Sequence, residues 1–256
     1  VLIIPKDYGW QKIEDNFRVS KKAQPKPNYP APTETSVEEA VKLLKEAKNP
    51  TMYIGAGAKD AGEEVKEFAE KFKTPIMSSY LGKGVVEDKF PAYIGTIGRI
   101  GPKAAQEVQT ATDLVVWVGN NSPFSGLWFP KDAKVIQIDV DPGKFGKRHS
   151  TDVSMLADSK KALRALIEEG EERSESPLYK AAIADRENWD AWEDSFKNSD
   201  EMPVRPEPIW DVINKKADDN AIFAIDVGNV NVDSCRLLNL HNDQKWTTSG
   251  LHATMG

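Results

Sequence analysis

The sequence predicts an α/β protein built on a doubly wound, mostly parallel sheet, with incomplete α/β segments on either side. Three observations carry that expectation. Leu114-Val-Val-Trp-Val118 and Val135-Ile-Gln-Ile138 are too short for helices, rich in β-branched residues and apolar on both faces, as in strands covered on both sides. Each stops abruptly, the first at Gly119-Asn120-Asn121 and the second at Asp139-Val-Asp141-Pro142. Strand, loop and helix patterns then alternate from Val37 to about Glu169, the rhythm of consecutive βαβ units.

In chain order, Val1 to Ile4 reads as a strand closed by Pro5, and Lys21 to Pro32, with four prolines, as a partly polyproline-like linker. Ser36-Val-Glu-Glu39 has the spacing of a capping box with Ser36 as N-cap, opening a helix that faces Val37, Ala40, Val41 and Leu44 inward. Thr51 to Ile54 is a strand followed by Gly55-Ala-Gly57-Ala58, and a helix spans about Ala61 to Lys73. Pro75 to Ser78 is a short strand leading into Tyr80-Leu-Gly-Lys83-Gly84. Tyr93 to Arg99 is expected to be a glycine-rich loop, followed by a helix from Pro102 to Gln109. After Asp141 come a basic loop (Lys144 to His149), the segment Val153 to Leu156, and a helix from Ser159 to Glu168. Leu178, Ala182, Trp189, Trp192 and Phe196 mark an amphipathic helix whose stripe reads as packing. Met202 to Pro208 is a second linker, Ile209 to Ala217 a helix, and Ala221 to Ile225 a buried strand ending at Asp226-Val-Gly228-Asn229. The domain reading is therefore 1–35, the end of one domain with a linker; 36–177, a central nucleotide-binding domain; 178–206, helix and linker; and 207–256, the start of a further domain.

Composition narrows the function classes. The chain of 256 residues carries a net charge of −6, with 39% hydrophobic and 29% charged residues. This is no nucleic-acid surface, which needs clustered Lys and Arg. No apolar run approaches the roughly 20 residues of a membrane span, no secretory signal is expected, and Cys235 is alone, so a cytoplasmic protein without disulfides is the expectation. A chain that opens in a strand-like run without Met and ends at Met255-Gly256 is expected to be part of something longer.

Ligands of open α/β sheets sit beyond the carboxyl ends of the strands, so Gly119, Asn120, Asp139 and Asp141 are candidates for a nucleotide site, or ordinary polar strand exits. Gly55 and Gly57 admit a phosphate to the backbone before a helix N-terminus, or simply make a tight turn; with the next glycine at Gly62, the dinucleotide fingerprint is absent. Arg99 could fork onto a diphosphate or face solvent, and Asp139 and Asp158 could accept from a ribose or adenine or cap helices. His149, His241 and His252 are scattered and suggest no metal site, and no nucleophile elbow is present.

The ordered motifs Gly55-Ala-Gly57-Ala58, Gly95-Thr-Ile-Gly-Arg99, Val118-Gly-Asn-Asn-Ser-Pro-Phe124, Gln137-Ile-Asp139-Val-Asp-Pro142, Phe145-Gly-Lys-Arg-His149 and Leu156-Ala-Asp158 resemble the central domain of bacterial pyruvate oxidases. These are thiamine-diphosphate enzymes related to acetolactate synthase. The resemblance continues through Ala224-Ile-Asp226-Val-Gly-Asn229 to Thr248-Ser-Gly-Leu-His-Ala-Thr-Met-Gly256.

It implies an FAD site in which Gly55, Ala56, Gly57 and Arg99 accompany the diphosphate and ribityl chain, with Lys83 also among the FAD residues. Asn120 would flank the cofactor, and Asp139, Val140 and Asp158 would hold its adenosine end. It further implies that Gly228, Asn229 and Met255 belong to a thiamine diphosphate site. His252 and Lys59 depart from the usual aromatic and arginine. The carboxylate that activates thiamine and the signature that holds Mg²⁺ are implied to lie outside these 256 residues. The whole protein is then expected to convert pyruvate, phosphate and O₂ to acetyl phosphate, CO₂ and H₂O₂ as a homotetramer, while this chain alone is inactive. A non-oxidative, acetolactate-synthase-like enzyme and a non-catalytic nucleotide-binding module are the alternatives.

Overall fold

The computed structural model describes residue 3 and residues 5–14, 28–98 and 100–248. Most of the strand expected at the start, most of the first linker, Arg99, His252 and Met255 lie outside the described residues.

Six strands form one all-parallel sheet: β1 (Pro50–Ile54), β2 (Ile76–Ser78), β3 (Tyr93–Thr96), β4 (Leu114–Val118), β5 (Lys134–Asp139) and β6 (Val153–Leu156). Their spatial order is β3-β2-β1-β4-β5-β6. The chain winds outward from β1 to one edge, returns, and winds from β4 to the other. The β1/β4 junction is therefore the topological switch point.

The alternation of strand side chains sorts the core into two layers. Met52, Ile54, Val116, Val118, Ile136 and Ile138 face α1 (Glu34–Glu46), α2 (Gly62–Phe72) and α4 (Ser159–Glu169), whose Leu44, Phe68 and Leu166 close that layer. Tyr53, Met77, Val115, Trp117 and Val135 face α3 (Lys103–Ala111) and α5 (Pro177–Asp194), meeting Val108 and Ala182. This two-sided cover is why the strands read as apolar throughout.

Four local expectations are corrected. The N-cap of α1 is Thr33, whose hydroxyl accepts from Ser36 N at 3.3 Å, while Ser36 Oγ donates to Thr33 O; Ser36 is thus the third residue of a cap that starts earlier. The glycine-rich stretch after Ala92 is largely strand β3: Gly95 has φ +107°, a conformation glycine supplies inside an edge strand. Helix α6 (Pro206–Lys216) begins inside the expected second linker, because a proline at the first helical position loses no hydrogen bond. The strand near Ile222 is not buried on both faces: in β7 (Ile222–Ile225) exposed and half-buried residues alternate.

β7 pairs in parallel with β8 (Lys245–Thr248), and α7 (Asn229–Leu237) connects them. With α6 they enclose a small core of Trp210, Leu238 and Leu240. No described helix is long and apolar enough to cross a membrane.

Candidate functional site

The site grows from the switch point. Gly55 N donates to Val118 O, Gly57 N to Gly119 O and Gly119 N to Ile138 O, each at 2.9 Å, so the loops leaving β1, β4 and β5 are stitched edge to edge. A Cβ on Gly57 would lie 2.7 Å from Gly119 Cα, and one on Gly119 would lie 2.5 Å from Gly57 Cα. Gly119 also has φ +56°, a left-handed conformation that side chains disfavour. These glycines are required by backbone-to-backbone approach, which brings both loops to one edge.

Asn120, 5% exposed, is locked in place. Its Nδ2 donates to Ile54 O at 3.2 Å, its Oδ1 accepts from Ser122 N at 2.9 Å, and its carbonyl accepts from Trp117 Nε1 at 2.8 Å. Beneath this loop the Tyr53 hydroxyl pairs with Ser125 Oγ at 3.0 Å. Burial raises the Tyr53 pKa, keeping the phenol protonated and the brace neutral.

The loops enclose a cleft of about 680 Å³. One wall is the run from Gly119 to Phe124; opposite it stand Ser79, Tyr80 and Leu81, which leave β2, and Ile97, Gly98 and Ile100, which leave β3. Ala56 lies on the lining, and Leu127 and Trp128 complete an apolar rim. The strand-exit rule could have found Ser79 to Leu81, since they follow β2 directly. Nothing local announces Leu127 and Trp128, which reach the cleft through the fold of the loop after β4.

Further along the edge, Asp139 is half-buried. Its Oδ1 accepts from Asp141 N at 2.9 Å, and desolvation raises its pKa. Asp141 differs: its carboxylate accepts from Gly143 N at 2.9 Å and meets Lys144 Nζ at 3.5 Å. The amide bond first, then Lys144, hold its pKa low. Val140 between them is exposed. Asp158 caps α4, accepting from Lys161 N at 3.1 Å. Ala157 N donates to Asp139 O and Ser159 Oγ to Gly57 O, at 3.1 and 3.0 Å, linking the exits of β6, β5 and β1.

Gly55, Ala56, Gly57, Asn120, Asp139, Val140 and Asp158 thus share one sheet edge. Lys83 does not join them. It is 5% exposed, and its Nζ is held by Asp88 Oδ1 at 2.6 Å and Leu238 O at 2.8 Å. It stands in a contact between chain segments and not on the cleft lining, because a buried ammonium takes the nearest carboxylate and carbonyl. Gly228 (φ +135°) and Asn229 stand apart, at the N-terminus of α7. Arg99 and Met255 lie outside the described residues.

Residues 37–166 match the family described as thiamine pyrophosphate enzyme, central domain. Over 100% of its length the chain is similar to the pyruvate oxidase of Lactiplantibacillus plantarum, at 38% identity, covering 43% of that protein. It is 28% identical to the acetolactate synthase large subunit of Corynebacterium glutamicum over 88% of the chain and 37% of the relative. To the acetolactate synthase isozyme 1 large subunit of Escherichia coli it is also 28% identical, over 99% of the chain and 45% of the relative. The chain therefore spans less than half the length of these curated relatives.

Proposed function

The chain belongs to the thiamine pyrophosphate enzyme family, matching its central domain, and from that premise we propose that it is the flavin-binding portion of a pyruvate oxidase. The observation that carries the reading is the cleft at the switch point, where two glycine loops and an apolar rim meet. Such a place suits a flat fused ring with a polyol and a diphosphate. FAD, when bound, would supply an acceptor for the two electrons given up when the two-carbon unit left after decarboxylation of pyruvate is oxidised to the acetyl level, and would pass them to O₂.

The chain's own residues bind and orient. Ala56 and the Gly119–Asn120 backbone would border the cofactor, and Ile97, Phe124, Leu127 and Trp128 would keep water from its ring. Asp139, Val140 and the free edge of Asp158 would receive the adenosine end. Gly228 and Asn229 open α7 as a diphosphate-facing turn for thiamine diphosphate. Pyruvate and phosphate as substrates, Mg²⁺, a tetrameric assembly and a cytoplasmic setting belong to the same proposal and are supported by the family resemblance. The 256 residues alone are held not to turn pyruvate over. Similarity to acetolactate synthases favours a second reading, in which the same flavin site serves structure instead of electron transfer.

The test is to purify the chain with FAD and with NAD, record the retained cofactor and its visible spectrum, and titrate two variants. FAD is expected to be retained in preference to NAD. Asp139→Ala should weaken FAD by roughly ten- to hundredfold, the worth of a charge-assisted hydrogen bond. Asp141→Ala should do less, because that carboxylate is paired with Lys144 as well as bonded within its own turn. Preference for NAD, or equal losses in the two variants, would sink the assignment.

A further inference from the structure

The segment from Tyr80 to Asp88 leaves β2 and does two jobs. Tyr80 and Leu81 line the cleft, and Lys83 and Asp88 grip the chain at Leu238 to Leu240. Lys83 Nζ donates to Asp88 Oδ1 at 2.6 Å and to Leu238 O at 2.8 Å. Asp88 Oδ2 accepts from Leu240 N at 2.7 Å, while Asp88 N donates to Leu240 O at 3.1 Å. A single residue thus pairs both backbone groups of Leu240. The Lys83 and Asp88 side chains are 1% and 5% exposed.

Two further contacts tie the C-terminal unit of α6, β7, α7 and β8 to the cleft wall. Tyr80 stacks on Trp246 of β8, with centroids 6.2 Å apart and planes at 15°. Arg236 Nε, in α7, donates to Ile100 O at 2.7 Å. Tyr80 and Ile100 both face the cleft, so the unit rests on the back of the residues that shape it.

A seam needing only cohesion would be served by apolar residues, since burying an ion pair costs desolvation that its attraction barely offsets. What the pair adds is register. Sliding the 238–240 segment by one residue would leave a buried ammonium without its carbonyl and a buried carboxylate without its amide. We propose that Lys83 and Asp88 are positioning residues that set the C-terminal unit on the wall of the cleft. Its functional meaning rests on the flavin and thiamine reading above: the pair keeps the two cofactor sites in a set relation.

The experiment compares the 256-residue chain with the double variant Lys83→Met/Asp88→Asn. This change is nearly isosteric and strands no buried charge, and Asn can still accept from Leu240 N. Three quantities are read: thermal unfolding of the six-stranded sheet, FAD affinity, and amide exchange of Trp246, Thr247 and Thr248, none of which bonds to either substituted side chain. We expect FAD affinity to stay within about twofold, the sheet to melt as before, and exchange in β8 to accelerate about tenfold or more. Unchanged β8 exchange would overturn the proposal. A loss of FAD affinity with β8 unchanged would overturn it too, returning Lys83 to the cofactor. Equal loss throughout would show a general stabiliser and would likewise overturn it. If the unsubstituted chain bound no FAD, the flavin reading would fall, while β8 exchange against the melting of the sheet would still decide the role of the pair.

Discussion

At the scale of single residues, the site depends on what cannot be larger than glycine. Gly119 combines φ +56° with a Cβ position 2.5 Å from Gly57 C. Neither strain nor contact can be relieved by a rotamer change, because both involve main chain. Gly119→Ala should therefore destabilise the chain by about 3 kcal/mol or more, adding left-handed strain to overpacking, and should open the junction that forms the floor of the cleft. Gly146→Ala is the control: its φ is +66° but its Cβ would meet nothing within 4 Å, so it should cost only the conformational part, about 1–2 kcal/mol. Urea unfolding of the two variants measures the difference, and equal costs would remove the close-approach argument.

At the scale of elements, α5 shows how a pattern read as simple packing acquires electrostatics. Its first half packs as expected, with Ala182 buried and Leu178 and Ile183 against the second core layer. Its second half buries charge: Arg186 pairs with Asp190 at 2.8 Å, and Glu193 accepts from Trp189 Nε1 at 2.5 Å. Trp192 from the expected stripe is half exposed, its ring tilted against Trp189 and edge-on to Phe196. Burial pushes the Glu193 pKa up from 4.5 to about 7, against the pull of Arg186, Trp189 and Lys89 and with the push of Asp190. The folded chain then holds this proton more tightly than the unfolded chain does. Glu193 therefore contributes stability that is fully present below about pH 4.5 and is lost as pH rises through about 7. Glu193→Gln should flatten that part of the stability–pH curve, followed by urea midpoints from pH 4 to 8; a curve that keeps its slope there would count against this carboxyl as its source.

At the scale of the whole molecule, the described residues form two sheets of unequal quality. The six-stranded sheet is covered on both faces and holds Trp117, Tyr53 and Phe68 out of water. The β7–β8 pair has two strands, leaves Ile222 70% exposed, and is supported by a core of three buried apolar residues. A two-stranded sheet is marginal by itself, and parallel strands seek cover on both faces. The chain should therefore unfold in two steps. Amides of residues 222–248 should lose their protection at lower urea than those of residues 50–156, and exchange before them. A single coincident transition would mean that the contacts at Tyr80, Lys83, Asp88 and Ile100 bind the two units into one cooperative body.

The sequence by itself determined the α/β class, the strands β1, β2, β4 and β5, and the polar strand exits at Gly55, Asn120, Asp139 and Asp158. All of these rest on short-range rules: β-branched runs too short for helices, and abrupt ends in glycine or carboxylate. The motifs quoted from it also pointed to the thiamine pyrophosphate enzyme family. Tertiary structure decided the rest. Strand order alone made β1 and β4 neighbours and pressed Gly57 on Gly119, contacts between residues far apart in the chain. β3 was hidden because Gly95, with Gly98 just after it, looks like a loop until β2 pairs with the strand. The resemblance implied Lys83 as an FAD residue, but its acceptors include a carbonyl 155 residues further on. Where a buried charge finds its partner depends on packing between distant segments, and no local pattern in a sequence encodes it.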